Sequence, residues 1–150
     1  MIAVGIDVSK SKSTVAILNA DGTKRVTPFD VKHNLPELNA LVKYLNDLNE
    51  NIVILMEHTG HYHYPILKKL NDEGFQVCLV NPYQMKKYGD TELRRTKTDK
   101  KDAIRIATYA LEKSYQLVPY SSMEQKYEDL RLLARQYSQR ISTLTFNKVH

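Results

Sequence analysis

Residues 2–9 read Ile2-Ala3-Val4-Gly5-Ile6-Asp7-Val8-Ser9. Apart from one carboxylate, the stretch is an apolar run rich in Val and Ile. Such runs form strands buried on both faces. An ionised carboxylate is costly in that setting unless a cation or strong donors meet it. Asp7 therefore has two readings. It caps the turn into Ser9-Lys10-Ser11-Lys12, a position Asp favours, or it belongs to a site that supplies compensating charge.

The neighbouring segments build a sheet around this strand. Lys12 to Asn19 reads as a second strand, with β-branched residues at Thr14, Val15 and Ile17. Asp21-Gly22 is a turn signal. Lys24 to Val31 makes a third strand, and Pro28 within it argues for an edge position. The chain thus opens as an antiparallel meander. Asn34-Leu35-Pro36-Glu37 starts a helix, with Asn34 as N-cap and Leu38, Leu41, Val42, Leu45 and Leu48 at helical spacing. Asn51 to Glu57 is a second buried run that ends in a carboxylate. Tyr64 to Glu73 is a helix closed by Gly74, and Phe75 to Val80 a further strand. Strands joined by helices pair in parallel. The expected class is α/β: a mixed sheet, meander first and parallel strands after, with flanking helices.

Pro82 to Lys97 is polar and basic, with a helical turn expected over Tyr83 to Tyr88 and loop thereafter. Thr98 caps a helix whose first turn holds Asp99 and Asp102 and whose apolar face is Ile104, Ala107, Ala110 and Leu111. Pro119 to Ser122 connects this unit (residues 1–118) to an amphipathic helix over residues 123–150. There Leu130, Ala134, Tyr137, Ile141 and Leu144 form a heptad seam. Nothing left in the chain covers that seam, so its expected partner is a second copy or sequence beyond His150.

Composition narrows the class. The 150 residues suffice for one domain with a core, and 42% hydrophobic with 26% charged is ordinary for a globular chain. No apolar run is long enough to span a membrane, and the N-terminus lacks the basic region of a signal peptide. A single cysteine, Cys78, excludes an internal disulfide and fits a reducing cytoplasm. Within Val77-Cys78-Leu79-Val80 it reads as core. The formal charge is +5, and Lys86, Lys87, Arg94, Arg95, Lys97, Lys100, Lys101 and Arg105 concentrate it in a short stretch. That stretch is either a solvated face or a phosphate-binding surface. The interleaved Tyr83 and Tyr88 favour the second, because aromatic rings stack on splayed bases.

Four acids form a candidate site. Asp7 and Glu57 end buried strands that share a sheet edge if paired in parallel. Asp99 and Asp102, three apart, lie on one helical face. Converging carboxylates repel unless cations neutralise them. Mg²⁺ or Mn²⁺ would do so, taking oxygen ligands and leaving positions for phosphate oxygens. Two such ions about 4 Å apart stabilise the attacking and leaving oxygens of phosphodiester chemistry. The bland alternative is that each acid is a cap or a helix N-terminal charge. His58, His61 and His63 beside Glu57 lack the cysteines and regular helix of a zinc site. They read as surface or rim residues able to touch phosphate or assist proton transfer.

Gly5-Ile6-Asp7-Val8-Ser9-Lys10, Met56-Glu57-His58-Thr59-Gly60 with Tyr62 and Pro65, Val80-Asn81-Pro82, and Lys97-Thr98-Asp99-Lys100-Lys101-Asp102-Ala103 together resemble the N-terminal domain of IS110-family transposases. The likeness covers about residues 1–115, and the motifs are specific in order and spacing. It implies an RNase H-like (RuvC-like) fold with Asp7, Glu57, Asp99 and Asp102 as a catalytic tetrad binding Mg²⁺ or Mn²⁺. Lys10, Lys86, Lys87, Arg94, Arg95, Lys97, Lys100 and Lys101 would then meet nucleic-acid phosphates. The helix from Met123 resembles the coiled coil that follows the domain in the family, and implies a homodimer or higher assembly. The family also has a C-terminal domain with a serine nucleophile, acts on DNA in the prokaryotic cytoplasm, and pairs with a structured bridge RNA. On this view the chain is a fragment, since Ser9, Ser11 and Ser13 do not match that serine. His58 stands where the family more usually has a small residue or proline.

Two other classes remain open. Actin/sugar-kinase-type phosphotransferases also open with Gly-Ile-Asp on a meander, but need a Gly-rich nucleotide motif that this sequence, with 5 glycines, lacks. A non-catalytic dimerisation and RNA-binding module would use the basic stretch and the heptad seam, with the acids as caps.

Overall fold

The computed structural model describes residues 1–57, 60–89, 98–120 and 130–139. The chain divides into two units, Met1–Tyr120 and Ser121–His150. Among the described residues of the first, five strands form one mixed sheet in the order β3-β2-β1-β4-β5. The strands are β1 (Ile2–Val8), β2 (Lys12–Leu18), β3 (Lys24–Lys32), β4 (Ile52–Glu57) and β5 (Val77–Val80). β1 pairs antiparallel with β2, and β2 with β3. β1 also pairs in parallel with β4, and β4 with β5. The opening run is therefore the centre of the sheet, and Pro28 lies on an edge strand, where its missing N–H breaks no ladder.

The helices are α1 (Leu35–Asp47), α2 (Tyr64–Asp72), α3 (Pro82–Gly89) and α4 (Asp99–Glu112). Local chemistry sets their starts. Asn34 accepts from the Glu37 backbone N–H at 3.0 Å, and Glu37 reaches back to accept from the Lys32 N–H at 3.1 Å. Thr98 accepts from the Lys101 N–H at 3.2 Å, which begins α4 at Asp99. α2 ends where Gly74 adopts φ +91°, a conformation glycine takes without Cβ strain. The segment expected as a single helical turn at Tyr83–Tyr88 is a full helix of eight residues, α3. Asn81 initiates it by accepting from the Gln84 N–H at 2.8 Å.

Alternation along the strands sends residues to two faces. Val4, Ile6, Val8, Val15, Ile17, Ile54 and Met56 meet Leu38, Leu41, Val42 and Leu45 of α1 and Ile66, Leu67 and Leu70 of α2. The other face carries Ala3, Ala16, Leu18, Leu55, Cys78 and Val80, covered by Ala103, Ile106, Ala107 and Ala110 of α4 with Met85 of α3. Cys78 is buried there, and burial pushes its thiol pKa up, as befits a core residue.

In the second unit, residues 130–139 are helical. Leu130, Leu132, Leu133 and Tyr137 are exposed, Leu130 at 64% and Tyr137 at 68%. Met123, the expected start of the helix, and Ile141 and Leu144 of the expected seam lie outside the described residues. No described helix is long and apolar enough to cross a membrane.

Candidate metal and nucleic-acid site

Gly5 is the point from which the site is built. A Cβ added there would lie 2.3 Å from both the Ala103 carbonyl oxygen and the Ala107 backbone nitrogen. Helix α4 thus presses its own backbone onto β1, which only glycine permits. Two residues along β1, on the same face, is Asp7. One helical turn before Ala103 is Asp99, and Asp102 immediately precedes Ala103. The close crossing therefore carries the first turn of α4 over the end of β1. The carboxylates of Asp7, Asp99 and Asp102 offer oxygens that all lie within 4.8 Å of one another.

Glu57 stands beside this trio. Parallel pairing puts it in register with Asp7, at the same edge and on the same face. It is half-buried, as Asp7 is, but it does not belong to the group of oxygens within 4.8 Å. The structure thus brings three of the four expected acids together and places the fourth on the neighbouring strand.

The cluster is partly compensated by the protein itself. Asp99 and Asp102 occupy the first turn of α4, where the helix dipole favours negative charge. Arg105 Nη2 lies 3.2 Å from Asp102 Oδ1, with the two side chains only 14% and 13% exposed. The Arg105 Nε is buried and has no hydrogen-bond partner among the described residues. Sequence reasoning saw Arg105 only as part of a basic run. Its signal was there: an arginine three residues after Asp102 shares that acid's helical face.

A second omission is the row across the sheet. Asp30 of β3 is in register with Thr14 of β2, which is in register with Asp7. Thr14, 2% exposed, donates to Asp30 Oδ1 at 2.9 Å. That bond, with the Lys12 ammonium at 3.2 Å and a longer-range pull from Lys100, holds the Asp30 carboxyl below its ordinary range. Lys100 thereby sits on the β3 side of the α4 N-terminus. Strand alternation contained this row, but register across three strands is not visible in one strand.

The cationic candidates are only partly described. Lys10, Lys86, Lys87, Lys100 and Lys101 are exposed, while Arg94, Arg95 and Lys97 lie outside the described residues. So does His58. His61 is exposed and stacks on Tyr64 with ring centroids 6.1 Å apart. His63 corrects the surface expectation: it is 4% exposed at the start of α2, its ring 4.4 Å from Tyr64. The nearby Pro65 sits in the first turn of α2, where its missing N–H costs no helical bond. Among the described residues, the only side chains grouped tightly enough to hold a metal ion are the three aspartates.

Residues 4–150 match the transposase family model for the IS110 DEDD domain. The chain belongs to that family. Over 106 residues this IS110 DEDD domain is 27% identical to the transposase for insertion sequence element IS1533 of Leptospira borgpetersenii, covering 71% of this chain and 30% of that protein. It is 26% identical over 106 residues to the pilin gene-inverting protein of Moraxella lacunata, covering 71% and 33%. The chain spans about a third of the length of these curated relatives. Among solved structures it is similar to Thermus thermophilus RuvC in complex with a Holliday junction substrate. The TM-score is 0.57 at 15% identity, over 80% of this chain and 99% of that one. A second T. thermophilus RuvC structure superposes equally well. At that identity the likeness is one of fold, and the fold is RuvC-like, of the RNase H type.

Proposed function

We propose that this IS110 domain supplies the acidic, metal-binding half of a DNA cleavage and strand-exchange centre. The observation that carries the reading is the convergence of the Asp7, Asp99 and Asp102 carboxylates within 4.8 Å, from segments more than ninety residues apart. Carboxylate oxygens are the donors that hard divalent cations take, so the donor set fits Mg²⁺ or Mn²⁺. Asp7, Asp99 and Asp102 would hold the ion, and Glu57, in register with Asp7, would complete a second position. Bound there, divalent cations supply charge stabilisation to the attacking and leaving oxygens of a phosphodiester.

The chain's own residues do the rest. Gly5 lets α4 approach, so the helix delivers both of its acids to one strand end. Arg105, 3.2 Å from Asp102 Oδ1, offsets part of that acid's charge. The exposed Lys10, Lys86, Lys87, Lys100 and Lys101 would draw a phosphate backbone across the sheet edge. Arg94, Arg95 and Lys97, which fall between α3 and α4 in the sequence, would add to that positive charge. The basic balance and the transposase family support DNA as the substrate; in this reading a structured guide RNA is a further partner and the setting is the cytoplasm. The exposed leucines of residues 130–139 support self-association through that helix. Strand exchange itself is assigned to the longer protein, whose serine-bearing domain would complete the centre.

The decisive measurement is thermal unfolding of wild type and Asp7→Asn in EDTA and in a Mn²⁺ series, with Mn²⁺ affinity read in parallel by electron paramagnetic resonance. Wild type should gain stability and bind Mn²⁺; Asp7→Asn should do neither. A second reading, a dimerisation and RNA-binding module with no catalytic metal, draws on the Arg105–Asp102 pair, which offsets one acid without any ion. It prevails if Mn²⁺ leaves stability and nucleic-acid binding unchanged in both proteins.

A further inference from the structure

The two tyrosines of α3 have different fates. Tyr88 turns inward. Its hydroxyl donates to Glu112 at 2.5 Å, and its ring meets Tyr109 edge-on at 5.0 Å. Met85, three residues earlier on the same face, is 3% exposed. These two residues fasten α3 to the α4 side of the sheet. Tyr83 is 74% exposed. Lys86 and Lys87 follow it at three and four residues, so all three share the outward face. The helix, Pro82-Tyr83-Gln84-Met85-Lys86-Lys87-Tyr88-Gly89, contains no acid. The outward face is thus an aromatic ring with two cations and no acid from its own helix.

Its location is set by topology. β5 runs parallel to β4, and Val80 is in register with Glu57. α3 begins two residues later. Three residues of chain plus one interstrand spacing put the Tyr83 Cα within about 15 Å of that of Glu57. The ring therefore stands at the carboxylate edge of the sheet, on the β5 side, opposite Lys100.

We propose that the Tyr83–Lys86–Lys87 face of α3 holds an unpaired nucleic-acid strand beside the carboxylate cluster, the ring stacking on one base and the ammonium groups meeting adjacent phosphates. This rests on the nucleic-acid reading above and narrows it to a single-stranded segment. A flat ring reaches the face of a base only when that base is unstacked from its neighbours. A duplex would present phosphates to the lysines and leave the ring without a partner. The anionic cluster repels phosphates by itself, so a strand passing over it needs cations on both flanks, and α3 supplies the flank that Lys100 and Lys101 do not.

The test is fluorescence anisotropy with a labelled mixed-sequence single strand and with its duplex, across a salt series, using the full 150-residue chain. Tyr83→Ala should weaken single-strand binding about tenfold and duplex binding less than about twofold, while Tyr83→Phe stays within about twofold of wild type on both. The double variant Lys86→Gln/Lys87→Gln should lower the single-strand salt slope by about 1.4, two phosphate contacts' worth. Because Tyr83 is exposed, urea unfolding of each variant should match wild type. The proposal is overturned if Tyr83→Ala binds the single strand as wild type does, or if it loses duplex to the same degree. The Mn²⁺-induced stabilisation of Tyr83→Ala separates the two ideas. If it is retained while single-strand binding is unaffected, only this inference is lost. If wild type binds neither nucleic acid, both fall.

Discussion

The two faces of the sheet are packed on different principles. Toward α1 and α2 the contact is made by large branched side chains, with Ile6, Ile17, Ile54 and Met56 against Leu41, Leu45, Ile66 and Leu67. Such a layer stabilises by area, at roughly 25 cal/mol per Å² of apolar surface, and tolerates small repacking. Toward α4, beside larger residues such as Leu18, Leu55 and Ile106, the crossing itself is lined by small ones, Ala3, Gly5 and Ala16 with Ala103, Ala107 and Ala110. Little area is gained per residue, but helix and strand backbones are brought to touching distance. The difference teaches where precision resides. One face holds the domain together, and the other fixes where the acids of α4 stand relative to Asp7.

Gly5→Ala should show that difference most strongly. Its methyl would meet backbone on two sides, which no rotamer can relieve, and we expect a loss of about 4 kcal/mol, at the severe end for overpacking. Urea unfolding gives the loss. Whatever folded protein remains should no longer respond to Mn²⁺, because α4 must lift away from Asp7. Leu45→Ala on the opposite face should cost about 3 kcal/mol through lost transfer energy and a cavity. Its Mn²⁺ affinity should nonetheless match wild type. Equal damage to metal binding in the two variants would erase the proposed division between the faces.

Arg105→Gln probes the α4 side more gently. Removing the guanidinium leaves Asp102 beside two other carboxylates, and we expect the metal-free domain to lose about 1–2 kcal/mol, less than a fully buried pair would. Saturating Mn²⁺ should recover more stability in this variant than it adds to wild type, since no fixed cation then opposes the ion. Differential scanning fluorimetry with and without Mn²⁺ reads both quantities. A smaller metal response in the variant would mean that Arg105 orients Asp102 more than it competes.

The smallest effect belongs to the α1 and α2 face, at its edge. Ser13, fully buried, lies with its Oγ 2.7 Å from His33 Nε2. Burial pulls the His33 pKa below its ordinary 6.5, outweighing a hydrogen bond to the Lys10 backbone that pulls the other way. The unfolded chain then takes up a proton below about pH 6.5 that the folded chain resists. Stability from this group is therefore complete above that pH and lost as pH falls below it. Chemical denaturation at about pH 7.5 and about pH 5.5 should show a steeper decline in wild type than in His33→Gln. Identical declines would remove His33 from the account.

Much of this was legible in the residues themselves. The apolar run around Asp7, the Asp21-Gly22 turn, the Asn34 and Thr98 caps and Gly74 are local signals, and the elements they bound are where those signals put them. Asp7 and Glu57 could be placed at one edge because parallel strands joined by a helix leave few registers that bury both runs. Other features were not local. His63 looked like a rim residue because nothing in its neighbours reveals which way α2 faces. Tyr83 and Tyr88 looked equivalent until the packing of α3 separated them.

The amino-acid order alone was enough to specify the strands and the caps and to single out the acids as candidates, because those depend on side-chain patterns within a few residues. It could not specify the gap between β1 and α4. That gap is a property of two backbones meeting at Gly5, and it determines that the acids of α4 share one small volume with the acid of β1.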